Sequence, residues 1–135
     1  MPPEMAEVQR WLEKAEHDRC TVEAVLKEPH APTDVAAFHC QQAVEKLLKA
    51  FLVFRRDAFE RTHDLVELVA QCARHDPEFV TLQPQVAPLS AYAVRFRYPG
   101  PADPTADQVR EALGVVGAVR AFVLARVPAE SRPEK

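Results

Sequence analysis

The chain has 135 residues and a formal net charge of −3, enough length for one domain with a real interior. A mildly acidic protein has no general attraction to a nucleic-acid backbone, so any anion site must be a local cluster. The 47% hydrophobic and 27% charged residues suit a soluble fold, and no run of about 18 apolar residues exists to span a membrane.

The opening "MPPEMAEVQRW" lacks the basic-then-apolar pattern of a signal peptide. Val8, Trp11, Leu12, Ala15, Val22, Val25 and Leu26 recur at helical spacings, which predicts an amphipathic helix from about Glu4 to Lys27. "EPHAPTD" interrupts it, and Thr33 or Asp34 is placed to cap a second helix. That helix runs to about Phe54 without an internal Gly or Pro. "RRDAFERTHD" reads as a polar connection with Thr62 as the candidate cap of a third, shorter helix. In that helix Leu65, Leu68, Val69 and Cys72 share a stripe.

Pro77 to Pro88 reads as a loop or short helical turn, followed by a helix through "LSAYAVRFRY", where weak strand-like alternation also fits. Pro99, Pro101 and Pro104 predict a rigid excursion. Thr105 and Gln108 then fit a capping box opening a last helix to about Val127, whose Val109, Ala112, Leu113, Val116, Val119, Val123 and Val127 form an apolar face. Gly114 and Gly117 predict a close helix–helix approach there, and the tail "PAESRPEK" is expected to fray. Four long helices and a short one give an all-α, up-and-down helical bundle. It forms a single domain over residues 1–127, with a polar tail over 128–135.

Cys20, Cys40 and Cys72 are odd in number and widely spaced, which points to reduced thiols and a cytoplasmic protein. Cys40 falls in an apolar arc and reads as a small buried hydrophobe. His17 and Cys20 have ligand-like spacing, but one pair is too few for zinc, so neither a metal nor a cofactor is expected.

The second helix carries the most information. Ala36, Cys40, Ala43, Leu47, Ala50, Phe51 and Phe54 make one broad apolar arc on a helical wheel. His39, Gln42, Lys46 and Lys49 gather in a separate stripe about 80° wide, with Gln41 and Glu45 in their own row between. Glu45 also precedes Lys49 by four residues, the favourable order for a surface ion pair. Periodicity alone makes this stripe a solvated surface. The site reading draws on Arg55, Arg56, Arg61 and His63 in the next connection, which would complete a local cationic patch for phosphate. Such a patch has few aromatics, so base stacking would need help from elsewhere. His63–Asp64 reads better as a helix start than as a base with its carboxylate.

"FHCQQAVEKLLKAFL", "RTHDLVELV" and "LSAYAVRFRYP", in that order, resemble the HEPN domain family, and "WLEKAEHDRCTVEAVL" is similar to that family's first helix. The resemblance covers roughly Val8 to Pro99. It implies a helical bundle that forms homodimers and pairs with a separately encoded minimal nucleotidyltransferase, often as a toxin–antitoxin system. Some members are metal-independent ribonucleases acting across the dimer, and others are nucleotide- or RNA-binding modules without catalysis.

The ribonucleases carry an Arg followed four to six residues later by His. Here Arg97 lacks that His, as does Arg95, and Arg56 with His63 matches in the wrong part of the chain. Whether the protein is an enzyme is therefore left open. The expected phosphate-binding residues are His39, Gln42, Lys46, Lys49, His63, Arg95, Arg97 and Tyr98, with Tyr98 also a possible target of nucleotidyl transfer. The alternatives are a dimeric ribonuclease toxin with a substitute His, and a non-enzymatic adaptor.

Overall fold

Helix α1 (Pro3–Leu26) begins with a proline in its first turn, where the missing N–H is no loss. Val8, Leu12, Ala15 and Val22 are buried along one stripe, and Asp18 occupies the inward position between Ala15 and Val22. The computed structural model describes residues 2–59, 61–95 and 102–133. Helix α2 (Thr33–Phe54) is buried on almost every side, as befits a helix packed against α1, α3 (Leu65–Ala73), α5 (Tyr92–Arg95) and α6 (Ala106–Leu124). The protein is an all-α helical bundle around α2, with no strand among the described residues.

Several ends differ from expectation. Pro32 takes the N-cap position of α2 without a side-chain cap bond, so Thr33 and Asp34 both lie inside the first turn. The cap of α3 is Asp64 rather than Thr62. Its carboxylate accepts from the backbone N–H of Val66 and Glu67, while the Thr62 hydroxyl accepts from Asp64 N–H one turn earlier. A carboxylate also interacts better than a hydroxyl with the positive end of the helix. The Thr105–Gln108 capping box of α6 is formed as the sequence predicts.

Helix α2 ends in a Schellman turn. Arg56 N–H donates to the Val53 carbonyl, Asp57 N–H donates to that of Leu52, and Arg56 itself adopts φ 55°. This reversal sends the chain back past Phe59 and His63 towards α3. Between α3 and α6 the backbone runs through 3-10 turns at Pro77–Leu82 and Ala87–Leu89, the short helix α4 (Gln83–Val86) and α5. The helix read in "LSAYAVRFRY" is thus helical over Tyr92–Arg95, and its later residues lie outside the described ones, as do Pro99 and Pro101.

Phe79 joins these parts. Its ring centroid lies 4.5 Å from that of Phe51 on α2 and 4.8 Å from that of Phe122 on α6. Arg126 lies 3.5 Å from the Phe122 centroid and bonds Asp76 at 2.6 Å and Glu78 at 2.7 Å, pinning the end of α6 to this corner.

Two expectations about the C-terminal part are corrected. A Cβ added at Gly114 or Gly117 meets nothing within 4 Å, because both lie on the exposed side of α6 rather than at a close helix contact. The first part of the tail is also docked. Ala129–Ser131 forms a 3-10 turn packed on α1, Ser131 is fully buried, and Arg132 donates to the Leu124 carbonyl.

Candidate functional site

The polar side of α2 is organised by two buried carboxylates. Asp18, reaching over from α1, accepts from Lys46 Nζ at 2.6 Å and pairs with His39 Nδ1 at 2.8 Å. Its side chain is 9% exposed, against 29% for His39 and 24% for Lys46, so the carboxylate is the hidden member and its partners reach the surface. His39 and Lys46 are two turns apart on one stripe, and Asp18 bridges them.

The second carboxylate is Glu45, with 6% of its side chain exposed. It accepts from Lys49 Nζ at 2.9 Å and Gln41 Nε2 at 3.1 Å, and it pairs with His63 Nδ1 at 2.7 Å. Gln41 is fully buried. Its amide also donates to the His63 carbonyl at 3.1 Å, and its oxygen accepts from Gln42 at 2.7 Å. Burial pushes the Glu45 carboxyl up, but the bonds from His63, Lys49 and Gln41 outweigh it and hold the group below its ordinary value of 4.5. Glu45 is therefore ionised at neutral pH.

The pairing of Glu45 with Lys49 is thus a buried contact, not the surface pair that spacing suggested. The Lys49 ammonium lies 5.2 Å from the Phe59 centroid and 5.9 Å from that of Trp11, placing it among apolar rings. Lys49 consequently belongs with the Gln41–Glu45 row rather than with His39, Gln42 and Lys46. Both lysines of the stripe are neutralised by carboxylates, and Arg56 of the neighbouring connection is bonded to Glu4 at 2.6 Å.

Chemically, the arrangement prepares two imidazoles. An ionised carboxylate only accepts, so it fixes the hydrogen on the Nδ1 it faces and leaves Nε2 as the working edge. Nε2 can then take up a proton or, once protonated, donate to a phosphate oxygen. His63 is the more open, with 58% of its side chain exposed, so its ring is held from behind and presented to solvent. Asp64 caps α3, and the His63 imidazole pairs with Glu45 instead, as the sequence reading's preference for a helix start implies.

Among the expected site residues, the structure brings His39 and Lys46 together through Asp18, and Lys49 and His63 together through Glu45, with Gln42 bonded to Gln41. The Arg95 side chain, Arg97 and Tyr98 lie outside the described residues. Sequence reasoning missed Asp18, although a carboxylate in the middle of an apolar stripe was the signal for it. It also missed Gln41 and Glu45 as the centre of the second network.

Of the cysteines, Cys40 and Cys72 are buried, and burial pushes both thiols up to about 12, with the charges of Asp18 and Asp57 adding to this. They are packing groups. Cys20 is exposed, and among the described residues no three His, Cys, Asp or Glu side chains converge as metal ligands. No described helix is long and apolar enough to cross a membrane.

A family model described as HEPN domain matches residues 8–127. No curated protein and no solved structure matches the chain.

Proposed function

The chain belongs to the HEPN domain family, and from that membership we propose that it is a nucleotide- or RNA-binding module whose ligand phosphate meets the polar face of α2. The observation supporting this reading is the Asp18–His39–Lys46 cluster, a hidden carboxylate holding an imidazole and an ammonium at the surface in fixed positions. Fixed donors lose little freedom when a phosphate arrives, and His39 becomes a second cation when protonated. Gln42 adds a neutral donor on the same stripe, while Lys49 supports Glu45 from inside. Arg95, Arg97 and Tyr98 remain part of the proposed phosphate-binding set.

A second reading, metal-independent RNA cleavage, draws on the His63–Glu45 pair. A carboxylate-oriented imidazole with a free Nε2 is the group that proton abstraction from a ribose hydroxyl requires. It offers a substitute for the His missing after Arg97. We further propose that the protein acts as a homodimer in the cytoplasm beside a minimal nucleotidyltransferase. Co-purification with the product of a neighbouring nucleotidyltransferase gene tests that partnership.

The deciding experiment is calorimetric titration with ATP, GTP and a short single-stranded RNA in EDTA, with the RNA recovered and sized. Saturable binding with intact RNA is the result expected of a recognition module. Shortened RNA would replace it with the ribonuclease reading. An absence of heat and cleavage with every ligand would overturn both and leave an adaptor.

A further inference from the structure

Trp11 is the one tryptophan of the chain, and it sits beside the second network. Phe59 meets it edge-on, with centroids 5.7 Å apart and planes 80° apart, while Lys49 lies 5.9 Å from its centroid. The indole is thus fixed by groups from α2 and the α2–α3 connection, yet it is only partly buried. It forms the wall of an open cavity of about 360 Å³ whose other lining residues are Glu7, Arg10 and Lys14. Arg10 and Lys14 are exposed and have no ion-pair partner among the described residues. Glu7 is the acid in this wall, and its carboxylate accepts from the indole N–H at 3.5 Å.

We infer that Trp11 is a stacking platform for an unpaired nucleobase, with Arg10 and Lys14 engaging the adjoining phosphates. This rests on the reading of the protein as an RNA- or nucleotide-binding module and supplies the aromatic group that the α2 stripe lacks. Every base has a π-face, so a rigid, partly exposed indole recognises single strands without sequence readout, and flanking cations track the backbone. A ring already locked by Phe59 and Lys49 has little rotamer freedom to lose on binding.

The placement also selects the ligand. Trp11 and Asp18 are seven residues apart on one face of α1, two turns or about 10 Å along the axis. Arg10 and Lys14 beside Trp11, with His39 and Lys46 further along, offer phosphate contacts at two separate places, which suits a strand better than a mononucleotide.

Because the chain has a single tryptophan, its intrinsic fluorescence reports this site directly. The titrants are octauridylate, octaadenylate and ATP in EDTA, with anisotropy of end-labelled octamers as the independent binding measurement. Octamers are expected to change the Trp11 emission saturably, with the anisotropy midpoint, and ATP to bind more weakly. Trp11→Ala is expected to lower octamer affinity about five- to a hundredfold, and Trp11→Phe to retain much of it.

Trp11→Ala also removes packing from Lys49, so the exposed pair Arg10→Ala with Lys14→Ala is the second variant. It is expected to weaken binding and flatten its salt dependence. Octamer binding by anisotropy with unchanged Trp11 emission and an unaffected Arg10/Lys14 double variant would overturn the platform while leaving the module reading intact. No binding by either measurement would overturn both. ATP binding as tightly as the octamers would overturn the strand as ligand.

Discussion

Glu45 and His63 meet at 2.7 Å across the α2–α3 connection, and the same buried carboxylate also holds Lys49 at 2.9 Å. One carboxylate therefore positions an exposed imidazole with one oxygen and anchors a buried ammonium with the other. The contact ties the start of α3 to the centre of the bundle, so the orientation of the His63 ring is set by a group in the core.

Removing either half of the buried pair leaves an uncompensated charge, a loss of about 3–5 kcal/mol. Glu45→Gln and Lys49→Met are each expected to lower unfolding free energy by roughly that amount. The double variant is expected to recover much of the loss, because glutamine at 45 can still bond to Gln41 and His63 with no ammonium left unpaired. Urea denaturation of the four proteins in a double-mutant cycle measures the coupling. Additive single effects would show that the pair is not a unit.

The same carboxylate predicts an acid-side loss of stability. Its folded value is depressed, so its contribution is fully present above the ordinary 4.5 and is lost as pH falls through the lower folded value. Asp57, bonded to His75, and Asp76, bonded to Arg126, are depressed in the same direction and contribute with the same sign. Wild-type unfolding free energy is expected to fall below about pH 4.5 as these carboxylates are protonated. The Glu45→Gln/Lys49→Met protein is expected to fall less steeply. Identical pH slopes for the two proteins would remove Glu45 from the account.

Gly114 and Gly117 lie in α6 with open space around them. In an exposed helix interior, alanine is favoured over glycine by about 0.8–1.0 kcal/mol. Each Gly→Ala substitution is therefore expected to stabilise the monomer by about that amount, read as an upward shift in thermal midpoint. Destabilisation, or a fall in apparent molecular mass on a sizing column, would instead show that another backbone packs closely on this face.

The helices were legible in the sequence because burial of an apolar stripe leaves a period, and α1, α2, α3 and α6 all show one. The capping box at Thr105 was legible because its two bonds join residues three apart. The site was legible only in part. His39 and Lys46 lie on a readable stripe, but their bridging partner, Asp18, comes from another helix, 21 and 28 residues away, and its stripe position was the only trace. Lys49 was assigned to the surface because wheel geometry separates faces without showing which neighbours cover them. Trp11 and Phe59 cover this one, and neither belongs to α2. The same limit explains Gly114 and Gly117, since a small-residue pair shows that approach is permitted, while packing decides whether a partner element is there.

The two lysines differ in burial, which separates the proposed binding from folding. Lys46 is partly exposed and joins Asp18 and His39 at the surface, whereas Lys49 is buried with Glu45. If phosphate meets the α2 face, Lys46→Ala is expected to weaken RNA binding about tenfold, the scale of one charge-assisted hydrogen bond. The plot of log affinity against log salt should become shallower by about 0.7, the value for one fewer phosphate contact on a single strand. Chemical denaturation should show a smaller loss of stability than in Lys49→Met, because Lys46 is 24% exposed and its contact is shared with water, whereas Lys49 is only 9% exposed. Lys49→Met is expected to show the reverse pattern, with stability reduced and the salt slope of its folded fraction unchanged. Binding that is indifferent to Lys46 would move the phosphate contact away from this cluster.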